Sequence, residues 1–346
     1  MKRILPISSI RFVLALWVFL SHFPYPILTE PQTNPFLRVA RLLLHNSFNG
    51  AAAVMAFFVI SGFCIHFPNR KRFEVPSWPA YYARRYLRIL VPMGVAIGLA
   101  VPLKLKFGYY VNFILWSLVC EEIYYFIYPA LLRLRNLLGW RMLITLVWFA
   151  SFLTILSNPA AKEYHEFGLA LTWVLGLPCW LLGVRMAERL DLFYLRPVSE
   201  MQIWGWRCGI WILSLAFSAL RFHANVGFPW TLNAFAIAAV WWLEREISYY
   251  KSRRVPRLER FGDASYSVYL THMHGAMLAG WVIVLRGAWS WWLTAIVTAL
   301  FSTLFYWCIE RPSHQLARHC SQRLAQRDRA TTVIDKRRVV ARESTT

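Results

Sequence analysis

Ten apolar stretches recur along the chain, near residues 5–23, 49–67, 87–103, 113–132, 140–157, 167–187, 203–221, 227–243, 265–285 and 291–309. Most approach the roughly 20 residues that an α-helix needs to cross the hydrocarbon core of a bilayer. A backbone in lipid has to satisfy its own hydrogen bonds, which leaves helices or closed barrels. The stretches therefore predict an all-α, polytopic transmembrane helical bundle of about ten spans. Glycine and proline inside them (Gly62, Pro92, Gly94, Gly98, Pro178) are tolerated in membrane helices because neighbouring helices re-satisfy the freed backbone groups.

The 38 Lys and Arg residues test that reading. Thirty lie at the amino terminus, after the second, fourth, sixth and eighth stretches, and in the carboxyl tail; seven lie in the other connections. Arg11 is the remaining one, inside the first stretch. Such alternation is the positive-inside pattern and predicts both termini cytoplasmic. The formal charge of +21 is then a topology signal and a field that can steer anionic cytoplasmic ligands. No nucleic-acid partner is expected. Lys2 and Arg3 before an apolar run resemble a signal peptide. Ser21-His22-Phe23-Pro24 offers no small-residue cleavage site, so an uncleaved first span is expected.

Residues 1–312 are expected to form one membrane-embedded domain, and 313–346 a basic, partly disordered cytoplasmic tail. The longest external connection runs from about Pro24 to Phe48. The six cysteines show no paired spacing, so neither a disulfide framework nor a metal site is expected. Cys120 reads as a packing cysteine, with thiol catalysis as the alternative.

Polar residues inside the spans carry the chemistry. Arg11 and His22 are 11 residues apart in the first stretch, so on a helix they share one face about 16 Å apart along the axis. An ionisable group at bilayer depth usually faces a bundle interior or a water-filled cavity. The alternative is that Arg11 snorkels to the headgroups while His22 marks the helix end. In the fourth stretch Glu121 and Glu122 are adjacent and point about 100° apart. One polar cavity can receive one of them squarely, and Glu122 is expected to be the more inward. A structural ion pair with Arg84, Arg85 or Arg88 is the competing reading. In the ninth, Ser265, Tyr269 and His272 follow i, i+4, i+7 spacing on one face, and His274 is expected to face another helix. Ser61-Gly62 permits close helix approach or an open cavity. Tyr82 to Pro92 reads as an interfacial basic-aromatic anchor or, more sharply, as a phosphate-binding patch.

Taken in order, five elements resemble the acyltransferase-3 family of integral membrane acyltransferases: Arg11-x10-His22, FFVISGF at 57–63, YARRYLRILVP at 82–92, WSLVCEEIYYFIYP at 116–129, and SYSVYLTH at 265–272 followed by ERP at 310–312. The resemblance runs from Arg11 to Pro312. It implies transfer of an acyl group, commonly acetyl, from a cytoplasmic acyl-CoA to a hydroxyl of a glycan or lipid-linked sugar at the outer face of a bacterial inner membrane. Acetyl-CoA would be a donor substrate, with no permanently bound cofactor. Carried over, Arg11 and His22 are the essential pair, with Glu122 and His272 as further catalytic candidates. The basic patch read from the residues themselves adds Arg84, Arg85 and Arg88 to Arg11 as donor-binding candidates. Where the family often reads WSLSVEE, this chain has Val119 and Cys120, which removes any role for a serine there.

Two competing classes remain open on physical grounds. A proton-coupled transporter or flippase of a glycan or small molecule also uses midplane carboxylates and histidines. A structural subunit of an export complex would leave the buried polar groups unexplained. Acceptor choice is expected to rest on Tyr25, Asn46, Asn49, His223, Asn225, Trp230 and Asn233, because aromatic faces stack on sugars and amides hydrogen-bond hydroxyls.

Overall fold

The computed structural model describes residues 6–23, 34–71, 75–194, 196–251, 253, 257–282 and 288–343. Among these there are helices and no strands. In chain order they are α1 (Ile7–His22), α2 (Pro35–Ser47), α3 (Gly50–His66), α4 (Trp78–Ala100), α5 (Phe107–Tyr110), α6 (Trp116–Ser157), α7 (Gly168–Glu188), α8 (Leu190–Phe193), α9 (Glu200–His223), α10 (Phe228–Tyr249), α11 (Ser265–Val282), α12 (Ala288–Phe305) and α13 (Arg311–Glu343). Each of the ten apolar stretches finds a helix.

The 42 residues of α6 are two helices joined at Gly139, whose φ of 73° and ψ of 160° break the helical path. Only glycine adopts that left-handed region without steric cost, which separates the fourth apolar stretch from the fifth. By length and hydropathy, five segments among the described residues are long and apolar enough to cross a membrane: Pro35–Asn69, Phe107–Ser157, Tyr164–Glu188, Glu200–His223 and Trp289–Asp328. α1 is apolar but has 16 residues. α4 and α10 bring arginines and glutamates into the helix.

α3 and α7 cross at van der Waals distance. A Cβ added to Gly62 would lie 2.0 Å from the Trp180 carbonyl oxygen, and one on Gly183 would lie 1.9 Å from that of Val59. This is the small-residue contact through which membrane helices pack without a hydrophobic driving force. α1 is held at its amino end, where Ser9 N donates to the buried Glu259 Oε2 at 2.8 Å. A carboxylate at that position satisfies an orphan amide and complements the helix dipole, and it fixes the turn from which Arg11 projects.

Two segments carry helix that the apolar stretches do not include. The connection from Pro24 to Phe48 contains α2, with Asn34 Oδ1 accepting Phe36 N at 2.8 Å as its N-cap and proline at the first helical position. The tail expected to be partly disordered is helical to Glu343. It docks on α4: Ser313 Oγ donates to the Leu87 carbonyl, Arg88 Nε donates to His314 Nε2 at 3.0 Å, and Ser77 Oγ donates to Asp328. Ser313, Ala317 and Ser321 are buried at four-residue spacing, a helical face that net composition conceals.

Candidate active site

Three cavities follow one another along α1. The basic cavity, about 490 Å³, is bordered by Arg11, Arg84, Arg85 and Arg88 together with Cys64 and Tyr81. The central cavity, about 100 Å³, shares Arg11, Cys64, Arg85 and Arg88 with it and adds Ser61, Glu121, Tyr125, Ser265 and Tyr269. The histidine cavity, about 350 Å³, is bordered by His22, His45, Asn49, Phe113, Glu163 and His165. Val54 and Tyr269 border both the central and the histidine cavities. Arg11 thus borders the central cavity and His22 the histidine cavity that adjoins it at Val54 and Tyr269, in line with the shared face of α1.

The four arginines converge because α4 is tied to its neighbours. Tyr81 and Tyr82 hydroxyls donate to the carbonyls of Tyr125 and Phe126, each at 3.1 Å, and the Tyr266 hydroxyl donates to that of Ile89 at 3.1 Å. Arg84 borders only the basic cavity, whereas Arg85 and Arg88 reach both. Arg88 is braced by His314, which itself lies 3.5 Å from Glu310; Glu310 in turn accepts Ser267 N at 3.0 Å and the Ser267 hydroxyl.

His22 and His272 form a directed pair. His22 Nδ1 lies 3.0 Å from the Val18 carbonyl oxygen, and His272 Nδ1 lies 2.7 Å from that of Tyr269. A carbonyl only accepts, so both rings carry their proton on Nδ1 when neutral. The one His22 Nδ1 proton is then shared between the Val18 carbonyl and the lone pair of His272 Nε2 at 3.3 Å, and His22 Nε2 keeps its own lone pair. His22 borders the cavity; His272 is fully buried behind it. The His22 ring meets Phe113 edge-on at 6.4 Å, and Phe113 stacks on Tyr109 at 4.2 Å.

The carboxylate pair resolves against the sequence expectation. Glu121, not Glu122, borders the central cavity. Tyr125 donates its hydroxyl to Glu121 Oε2 at 3.0 Å, Ser61 bonds the Tyr125 oxygen at 2.8 Å, and Trp180 Nε1 donates to Ser61 Oγ at 3.3 Å. Tyr125 has one proton and gives it to Glu121, so Ser61 must be the donor to Tyr125. This is a single-file chain aimed at the carboxylate. Glu122 borders none of the three cavities, and neither of its buried oxygens has a hydrogen-bond partner among the described residues. The 100° between neighbours on a helix permits either choice, and only the position of α3 and α11 decides it.

The acceptor candidates are largely structural. Asn46 is bonded to Leu42 O, His223 and Ser218. Asn233 bonds Ser151 and Cys179, and Trp230 donates to Pro159 O. Asn225 occupies a left-handed turn with φ 59°. Among the described members of the group, only Asn49 borders the histidine cavity, while also capping α3 through Ala52 N at 3.0 Å. Tyr25 lies outside the described residues. The wall is built instead by Glu163, His165, Phe113 and His45. Glu163 and His165 come from the connection before α7, whose polarity reads from sequence as an ordinary loop. Burial pushes the Glu163 carboxyl up to about 7, against the opposing pull of Arg221, whose Nε lies 3.0 Å away. His274 faces α4, with Nε2 2.8 Å from the Ala96 carbonyl, as its spacing implies. Among the described residues no group of three or more His, Cys, Asp or Glu is placed to hold a metal ion.

An all-helical bundle with apolar, membrane-length segments, whose interior joins an arginine cluster to an oriented histidine, defines a multi-pass membrane protein with a polar interior site. Residues 7–311 match the acyltransferase domain of the acyltransferase-3 type, nearly the whole chain, and the protein belongs to that family. It is accordingly an acyltransferase. No curated protein and no solved structure matches it.

Proposed function

We propose that the protein is a membrane O-acyltransferase that moves an acetyl group from cytoplasmic acetyl-CoA to a hydroxyl of a cell-surface glycan or lipid-linked sugar. Its setting is a bacterial inner membrane, crossed about ten times with both termini in the cytoplasm. The observation that carries this reading is the line of cavities from the arginine cluster, past Arg11 and Glu121, to His22. The basic cavity suits the phosphates of CoA, since arginine forks match phosphate oxygens. The central cavity is too small for a nucleotide but takes the narrow arm that carries the thioester. The histidine cavity, rimmed by aromatic and amide groups, suits a sugar.

In this scheme the acceptor hydroxyl gives its proton to His22 Nε2 while its oxygen attacks the thioester carbonyl carbon. The new C–O bond forms, the C–S bond breaks, and CoA leaves as its thiol once a proton reaches sulfur. Val18 and His272 hold the ring so that Nε2 faces the acceptor, and a positioned base of this kind contributes about 10²–10⁴ in rate. Acylation of His22 itself is a variant of the same path. Purified protein in liposomes with radiolabelled acetyl-CoA and candidate glycans tests it. Label on the acceptor supports the transferase, whereas acceptor translocation without label supports a transporter and overturns the proposal.

A further inference from the structure

The basic cavity has a wall that the donor-binding arginines do not supply. Ser321, Gln322 and Ala325 of α13 border it opposite Arg84 and Arg85. All three lie beyond residue 311, where the match to the family ends. Ser321 and Ala325 share a helical face with His314 and Asp328, falling at i+7, i+11 and i+14, and Gln322 stands about 80° round from His314 at the exposed edge of that face. That face is fastened to α4 at three points, through Ser313 to the Leu87 carbonyl, His314 to Arg88, and Asp328 to Ser77. The fastenings extend along about 22 Å of helix, so the wall is held against the arginines along its length.

We infer that α13 completes the nucleotide end of the donor site, with Gln322 as a recognition residue for the phosphorylated adenosine of acyl-CoA and Ala325 as the small residue that leaves it room. This rests on the donor placement proposed above. Arginines supply charge but only donors, whereas an adenosine also presents donors that need acceptors. Gln322 carries both a carbonyl and an NH₂ and so supplies acceptor and donor together, whereas the Ser321 hydroxyl gives its one proton to the Arg318 carbonyl at 3.1 Å and keeps only acceptor lone pairs. At about 490 Å³ the cavity falls within the range of small-molecule sites. Ala325 offers only a methyl group to it, so a large side chain there would occupy the ligand's space without touching an arginine.

The test uses the full-length protein in nanodiscs, with binding of unacylated CoA and of adenosine 3′,5′-bisphosphate measured by calorimetry. Ala325→Trp should weaken both by tenfold or more, with the thermal midpoint unchanged. His319→Trp, on an exposed position of the same helix away from the cavity, should leave both unchanged. Gln322→Ala should weaken both by about two- to tenfold, the loss of one or two hydrogen bonds, and serves alone if Ala325→Trp does not fold. Wild-type binding in Ala325→Trp and Gln322→Ala, with weakened binding in Arg85→Ala, would overturn the role of α13 while sparing the donor site. Wild-type binding in all three would remove the donor site from this cavity, and the inference with it.

Discussion

His272 Nε2 lies 3.3 Å from His22 Nδ1, and each ring directs its own Nδ1 at a backbone carbonyl one turn back on its helix. Two helices distant in sequence thereby fix one tautomer. The two histidines differ in access: His22 borders the cavity, and His272 is buried and reaches it only through the His22 ring. His22→Ala should abolish acyl transfer while membrane insertion and thermal midpoint persist. His272→Ala should lower kcat by about 10–100-fold with the donor and acceptor KM little changed, because the base remains but its orientation is loosened. Equal kcat values for His272→Ala and wild type would remove the positioning role.

Arg11 borders both the basic and the central cavities, the position at which the proposed donor would pass from its phosphates to its thioester. Arg11→Lys keeps the charge and loses the planar fork. We expect donor KM to rise at least tenfold in Arg11→Lys and donor binding to fall further in Arg11→Ala. Unaltered acetyl-CoA binding in Arg11→Ala would show that the guanidinium does not contact the donor.

The adjacent carboxylates should behave oppositely. Glu121 ends a hydrogen-bond chain in the central cavity, so Glu121→Gln should reduce turnover by about tenfold or more. Glu122 has no hydrogen-bond partner among the described residues, and a buried group of this kind costs stability. Glu122→Gln should keep near-normal turnover with an equal or higher thermal midpoint. The reverse pattern in a side-by-side assay would return the site to Glu122.

What the sequence discloses here is periodicity and polarity along each helix. The positions of Gly62, Arg11, His22 and the Ser265–Tyr269–His272 face follow from spacing alone, because a helix has a fixed pitch. Rotation of one helix against another is a property of packing, which spacing does not fix. Glu122 is expected to be the more inward carboxylate, whereas Glu121 borders the central cavity, and Asn46 and Asn233 are spent on bonds within the bundle. Glu163 and His165 carry no periodic signal at all. The buried face of α13 consists of Ser313, Ala317 and Ser321, small residues whose packing the charge-rich composition of 313–346 does not disclose.

Glu163 supplies a pH dependence that can be checked without knowing the acceptor. Its carboxyl ordinarily titrates near 4.5 and in the folded protein is pushed up to about 7, because burial outweighs the attraction of Arg221. Between these values the folded state holds a proton that the unfolded chain has released. Stability therefore falls as pH rises from about 4.5 to about 7 and is level above that, a loss of order 1–3 kcal/mol. Above pH 7 the carboxylate is ionised and its pairing with Arg221 at 3.0 Å stiffens the wall of the histidine cavity. Glu163→Gln should flatten the stability profile over this interval and remove any change in acceptor KM centred near pH 7, leaving donor KM alone. Thermal midpoints from pH 5 to 8 for the two proteins measure the first effect, and acceptor titrations at the same pH values the second. Parallel profiles in wild type and Glu163→Gln would mean that the carboxyl is already ionised throughout and that Arg221, not burial, governs its charge.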